Sequence, residues 1–316
     1  DVPGYFFNVL ALKRILQNVK PDILNSHYAS GYGTLGRLSG FNPHLLSVWG
    51  SDVYDFPFRS LFKMKIIRQN LKSANMIAST SKAMAIQVYN ICKDVSEIAI
   101  TPFGVDIDQF KPEDQKNFNK DIITIGTIKK FSPEYGIDTL IRGFHLLREE
   151  LNSKHYDYMG SKLRLLLVGG GRQEHEIKRL IKDLHLEAIC YIQGSVYHDE
   201  VVDYLNKLDI YAAISRFESF GVAVLEASAC CLPVVVSDVG GLPEVVLHGK
   251  TGFVVPRDNP KDTACKLKQL VLNAELRKKM GLAGRQHVID HYSWNECVNI
   301  LETLYKKVII NGERQT

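Results

Sequence analysis

Two glutamates eight residues apart, Glu218 and Glu226, stand in the stretch RFESFGVAVLEASACCLPVVVSDVGGLPE, where an apolar run gives way to a helical pattern. Asp209–Ser215 (DIYAAIS) reads as a buried strand and Gly221–Cys230 as the helix that follows it. Glu218 is thereby placed beyond the carboxyl end of a strand, where open α/β sheets bind ligands. Glu226 falls about one and a half turns into the helix. The leading amides of Ser219, Phe220, Gly221 and Val222 precede any intrahelical acceptor and favour an anion such as a diphosphate. Amide donors for a diphosphate and fixed carboxylate acceptors for ribose and hexose hydroxyls are what a nucleotide sugar requires. Acids near a helix N-terminus also complement its dipole, so the bare pair is commonplace and its surroundings carry the argument.

Those surroundings resemble the donor-binding half of family 4 retaining glycosyltransferases. The resemblance rests on Glu218–Ala229 (ESFGVAVLEASA), Pro233–Val235, Gly240–Glu244 (GGLPE) and Gly249–Val255, in order over about forty residues. Thr101–Asp106 (TPFGVD), Lys130–Ile137 (KFSPEYGI), Leu167–Gly171 (LVGGG) and Gly194–Val196 fall in the family's sequence as well, so the likeness covers Asp22 to Tyr305. It implies separable roles for the pair: Glu226 accepting from the ribose hydroxyls, Glu218 contacting the transferred sugar. It also implies that Ser195 and Val196 flank the donor's base, and that Lys130, with Lys129 beside it as second candidate, pairs with the donor phosphate. At the family's second cation this chain has Tyr135, a departure that removes a charge unless Lys129 or Arg216 supplies it. No DxD-type pair lies beside the site and no His/Cys cluster has ligand spacing. Metal-independent transfer is expected, with no cofactor beyond the nucleotide-sugar co-substrate.

The first half matches less closely. Trp49 stands at or beside the position of a family histidine near the transferred sugar, and Asp52 and Ser51 are the nearest polar substitutes, with a helix cap or turn residue as the structural alternative for Asp52. His27, in Asn25-Ser26-His27-Tyr28, is expected at a strand end facing the cleft. Asp52 and His27 therefore join Glu218 as candidate catalytic residues. The GYGTLG run (Gly31–Gly36) lacks the dinucleotide spacing and reads as a turn and small-residue packing face. Arg59–Lys72 (RSLFKMKIIRQNLK) mixes five cations with apolar residues, which suits either a packed helix with a basic face or an anionic bilayer surface.

Positioning these groups requires alternating strands and helices, which argues for a parallel α/β architecture. Short apolar runs at Asp22–Asn25, Leu45–Val48, Met76–Ser79 and Ile98–Thr101 form a first sheet. Ile122–Ile125, Leu163–Val168, Ala188–Ile192, Asp209–Ile214, Pro233–Val236 and Phe253–Val255 form a second. The resemblance implies the GT-B fold, two Rossmann-like domains facing a cleft. The expected division is an acceptor-side domain over 1–116, a polar linker at Asn117–Asp121 opening a nucleotide-sugar-binding domain over 117–292, and a terminal helix over 293–316 that crosses back. The chain opens on Asp1 and reaches a helix-like segment, Phe6–Asn18, before its first strand, so the opening of the first domain is expected to be truncated.

A chain of 316 residues with 45% hydrophobic residues sustains two cores, and a net charge of +4 without basic runs argues against nucleic acid. Six scattered cysteines without a CxxC are expected to be reduced and mostly buried, as in a cytosolic protein. No apolar stretch reaches the roughly 20 residues that span a bilayer. The expected activity is transfer of a sugar from a UDP- or GDP-sugar to a glycan or lipid-linked acceptor. Its expected setting is cell-surface polysaccharide assembly, such as lipopolysaccharide or capsule, in the cytoplasm or at the inner face of the plasma membrane. The alternative is a truncated or degenerate nucleotide-sugar-binding protein without turnover.

Overall fold

The computed structural model describes residues 2–113, 121–153 and 162–313. It divides into two compact units, one formed by 1–103 with 295–316, the other by 104–294.

The first unit is built on four parallel strands, β1 (Leu24–His27), β2 (His44–Val48), β3 (Met76–Ser79) and β4 (Ile98–Ile100), in the order β1-β2-β3-β4. All of β2 is buried, the continuous burial expected of a parallel strand covered on both faces. Helices Leu61–Ser73 and Lys82–Ile91 cover one face, packing Ile67, Leu71, Met84 and Val88 onto Leu46, Val48 and Ile77. The terminal helix Trp294–Glu313 covers the other. Its Leu301, Leu304, Tyr305 and Val308, at helical spacing, meet Leu45, Met76 and Ala78. Lys307 pairs with Glu97 at 2.7 Å, and Asn25 donates to the Tyr305 hydroxyl at 2.9 Å.

Helix Gly31–Ser39 uses its glycines for close packing: a Cβ on Gly36 would lie 2.3 Å from Ser26 Oγ and 2.6 Å from His44 Nε2. The single helical segment expected over Phe6–Asn18 is two helices, Val2–Phe7 and Val9–Val19.

The second unit holds β5 (Ile123–Ile128), β6 (Leu163–Val168), β7 (Cys190–Gly194), β8 (Ile210–Ala213), β9 (Val234–Ser237) and β10 (Gly252–Val255). All are parallel, in the order β10-β9-β8-β5-β6-β7. Counted from β5, this is the doubly wound 3-2-1-4-5-6 order. The chain reverses its direction of travel across the sheet between β5 and β8, so a crevice opens beyond their carboxyl ends.

Residues 104–113 belong to this second unit, so the division falls earlier than the boundary expected at 116. Arg285 explains it: its guanidinium donates to the carbonyls of Phe110 at 3.1 Å and Ala229 at 2.5 Å, tying the 104–110 segment to the second unit's own helix. Of the expected linker Asn117–Asp121, residues 117–120 lie outside the described residues. All six cysteines are free; five are buried and Cys265 is exposed. No described helix is long and apolar enough to cross a membrane.

Candidate functional site

The second unit's site grows from the ends of β5 and β8. Lys129 is the first residue after β5, and the loop from Ser215 to Gly221 follows β8. Across this switch point Lys129 Nζ donates to Glu218 Oε2 at 2.6 Å, with both side chains largely shielded. The ammonium also lies 4.8 Å from the Tyr135 ring centroid. Burial alone would lower the Lys129 pKa. The Glu218 carboxylate, the Tyr211 and Tyr135 rings nearby and the hydrogen bond to Glu218 outweigh it and raise the pKa instead, so the lysine stays charged.

Two glycines let the backbones close around this pair. Gly169 (φ +142°) leaves no room for a Cβ, which would sit 2.0 Å from the Lys129 carbonyl oxygen. Lys129 N and Phe131 N then donate to the carbonyls of Val168 and Gly170, pinning the lysine loop to the LVGGG turn. Gly240 (φ +50°) does the same for the glutamate, since a Cβ there would lie 1.7 Å from the Glu218 carbonyl oxygen. The LVGGG and GGLPE runs are thus the two supports of the Lys129–Glu218 contact.

Glu226 is the fifth residue of helix Val222–Ala229, which Gly221 opens in a left-handed conformation. Burial pushes its carboxyl pKa up, against the opposing pull of His198 and Lys129. His198 Nε2 stands 3.7 Å from Glu226 Oε1. Lys129 therefore serves both acids, one by contact and one through its field. Phe220 is buried with its ring against Tyr292, which leaves its backbone rather than its side chain to the site. The neighbouring cavity, about 410 Å³, is lined by Lys129, Lys130, Gly169, Gly170, Ser195 and Val196.

Lys130, the first candidate for the donor phosphate, has an exposed side chain on the wall of that cavity, and Lys129, the second, is the shielded cation at the switch point. Consecutive residues leaving a strand point to opposite sides, so only one of the two can reach Glu218. Arg216 is no substitute cation. It forks onto Asp138 with two bonds of 2.8 Å and onto Asp258 at 2.6 Å. The fork raises its already high pKa.

Asp52 in the first unit is fully buried, accepting from the amides of Ala29 (2.7 Å), Gly50 (2.7 Å) and Trp49 (3.1 Å). It ties the Trp49–Gly50 turn to the end of β1 and has no surface for a substrate. His27 is exposed at the end of β1, with its ring edge-on to Trp49 at 5.5 Å and its Nε2 3.2 Å from Asn25 Nδ2. Desolvation holds its pKa below the ordinary histidine value. His27 and Trp49 line a separate cavity of about 800 Å³ within the first unit.

His198 and Tyr211 were not anticipated. Tyr211 sits in the middle of the DIYAAIS strand and reads as core, and it is fully buried. His198 has no motif of its own, and its position three residues after Ser195 is the one available signal. Among the described residues no group of three His, Cys, Asp or Glu side chains is placed to hold a metal ion.

The glycosyl transferases group 1 profile matches residues 108–287, the stretch that carries this site, and the glycosyl transferase 4-like profile matches residues 1–81. The chain belongs to the glycosyl transferases group 1 family. It is a glycosyltransferase with the GT-B fold. An uncharacterized glycosyltransferase of Methanocaldococcus jannaschii is 28% identical over 96% of this chain and 81% of its own length. The N-acetyl-alpha-D-glucosaminyl L-malate synthase of Bacillus anthracis is 26% identical over 94% of this chain and 78% of its own. Among solved structures, sucrose-phosphate synthase from Thermosynechococcus elongatus superposes with a TM-score of 0.82 at 20% identity, covering 98% of this glycosyltransferase and 78% of that chain. Anabaena HepE in complex with UDP superposes with a TM-score of 0.79 at 17% identity, covering 95% and 81%.

Proposed function

We propose that this glycosyltransferase moves a sugar, with retention of anomeric configuration, from a UDP- or GDP-sugar to a glycan or lipid-linked acceptor. The observation that carries the donor half is the Lys129–Glu218 contact at the β5/β8 switch point, with Glu226 in the same field. Lys129 and the amides opening helix Val222–Ala229 would neutralise the diphosphate. Glu226 would accept from the ribose hydroxyls, Ser195 and Val196 would flank the base, and Glu218 would address the sugar. In the reaction an acceptor oxygen bonds to the anomeric carbon as the bond from that carbon to the diphosphate oxygen breaks. The acceptor's proton passes to the departing diphosphate. The work asked of the protein is stabilisation of that leaving charge, for which a shielded ammonium and helix amides suffice without a metal or cofactor. HepE was solved with UDP, and a Staphylococcus aureus TarM mutant with UDP and alpha-GlcNAc-glycerol, which supports a nucleotide-linked donor.

Assays of donor hydrolysis and transfer across UDP- and GDP-sugars test this reading. Turnover with one donor that is lost in Glu218→Gln supports it. Donor binding without any turnover favours the second reading, a nucleotide-sugar-binding protein, for which Tyr135 in place of a cation is the motivating departure.

We place its work in cell-surface polysaccharide assembly at the inner face of the plasma membrane. Exposed Phe58, Leu61 and Phe62 beside Arg59, Lys63 and Lys65 suit an anionic surface, whereas Ile66, Ile67 and Leu71 of the same helix are committed to the core. Sedimentation with anionic but not neutral liposomes is expected, and equal recovery with both would remove the membrane from the reading.

A further inference from the structure

The first unit's cavity, about 800 Å³, has a composition unlike that of the donor site. Six of its walls are aromatic: Tyr5, Tyr28, Tyr32, Trp49, Phe56 and Phe62. Its cations, Arg59 and Lys63, enter from one side, on the turn Phe56–Arg59 and the first turn of helix Leu61–Ser73. A space of this size accommodates a ligand of some tens of atoms.

The charges there are not equivalent. Arg59 is paired with Asp55 four residues earlier, and that pairing holds the Asp55 carboxyl below its ordinary range. Lys63 makes no ion pair among the described residues, although Asp55 lies within its field. Its ammonium rests 5.3 Å from the Phe56 ring centroid, which fixes it at the cavity wall. Ser60 caps the helix by accepting from Lys63 N, so the positive end of a thirteen-residue helix lies at the same place. With Asp55 set against Arg59, one positive charge remains, which matches a single anionic head.

The rim decides what that head is attached to. Phe62, which lines the cavity, is 66% exposed, and Phe58 and Leu61, on the two turns that carry Arg59 and Lys63, are 62% and 92% exposed. A rim serving a fully hydroxylated ligand would present polar side chains to share its hydrogen bonds, whereas these residues reward an apolar chain leaving the cavity. One of the wall's own polar groups is already engaged, since the Tyr28 hydroxyl bonds to Ser51 Oγ.

We propose that this cavity binds a phosphate-bearing amphiphile as the acceptor, its phosphate on Lys63 and its apolar chain among Phe56, Phe62 and Tyr32. Naming the occupant an acceptor rests on the glycosyltransferase reading; the binding itself does not.

The test is calorimetric titration of the full chain with farnesyl phosphate below its micellar concentration, with farnesol, and with inorganic phosphate. Farnesyl phosphate is expected to bind at least about tenfold more tightly than farnesol, the gain of one charge-assisted contact. Lys63→Glu is expected to abolish that advantage and leave farnesol unchanged, and inorganic phosphate to displace neither. Lys63 is partly exposed, so the variant should fold, and an unchanged melting temperature checks this. Equal affinity for farnesol and farnesyl phosphate, or indifference to Lys63→Glu, overturns the proposal. So does displacement by inorganic phosphate alone. Titrating UDP- and GDP-sugars into the same samples separates the two readings. Donor binding without farnesyl phosphate binding sinks the proposal and spares the donor site. Farnesyl phosphate binding that Lys63→Glu abolishes upholds the proposal even where no donor binds.

Discussion

Lys129 and Glu218, 89 positions apart in the chain, meet at 2.6 Å across the point where the second sheet reverses its winding. A buried pair of this kind is strongly sensitive to loss of one member, because the other charge is then left shielded and unanswered. A diphosphate arriving beside Lys129 would offer the ammonium a second anion and let Glu218 turn to the sugar.

Removal of the ammonium should therefore be costly to donor binding. Lys129→Ala is expected to raise the donor dissociation constant by about tenfold or more, and Lys130→Ala by about threefold or less. Isothermal titration with a UDP- or GDP-sugar checks both. A larger effect at Lys130 would return the phosphate role to that residue. Tyr135→Leu, which removes the ring against the ammonium, should weaken binding less than loss of the charge itself.

Donor affinity should also depend on pH through Glu226. Burial raises this carboxyl's pKa, so the folded protein holds its proton at pH values where an ordinary glutamate has lost it. The charged form is the stronger acceptor for ribose hydroxyls, so nucleotide affinity should fall as pH drops through that raised pKa. The sign for stability is the opposite: the folded state binds the proton more tightly, so this group's contribution declines as pH rises from the ordinary glutamate value through the raised one. Titration of UDP or GDP between pH 8 and pH 5 reads the first effect, and Glu226→Gln should flatten it.

Much of this site was legible because its signals are local. The strand DIYAAIS, the two acids and the GGLPE run lie within one stretch, where period and turn chemistry place the strand and helix and the family resemblance points to the acids. β3 and β6 match their apolar runs end to end. Which of Lys129 and Lys130 meets Glu218 was not legible, because it depends on the face of the sheet to which each turns on leaving β5. Arg216 was misread for a related reason: its partners Asp138 and Asp258 lie 78 and 42 positions away. In sequence Asp52 suits chemistry and capping equally, and what decides between them is the amide of Ala29, just past the end of another strand, donating to its carboxylate.

The glycine supports should be intolerant of side chains. Gly240→Ala combines a positive φ with a methyl 1.7 Å from the Glu218 carbonyl, so the Glu218 loop must shift. The expected result is a lower melting temperature together with a fall in kcat larger than any change in nucleotide affinity. Nucleotide affinity falling in step with kcat would show that the loop serves binding as much as transfer.

The first unit carries its own acid sensitivity. His44, buried on β2 with Nε2 2.9 Å from Ser26 Oγ, has its pKa pushed down to about 4. The unfolded chain takes up this proton near the ordinary histidine value of 6.5 while the folded one does not. Its contribution is therefore fully present above that value and lost as pH falls toward 4, an effect of about 3 kcal/mol. Urea melts monitored across this range should show the loss, and His44→Asn should diminish it.

The clasp that Arg216 makes with Asp138 and Asp258 anchors the chain two residues before Glu218. A loop held in this way has surrendered its conformational entropy on folding and has little left to surrender when a ligand arrives. The loop that carries Glu218 is thus set in advance, and differences among donors would register in their own contacts rather than in the ordering of the loop.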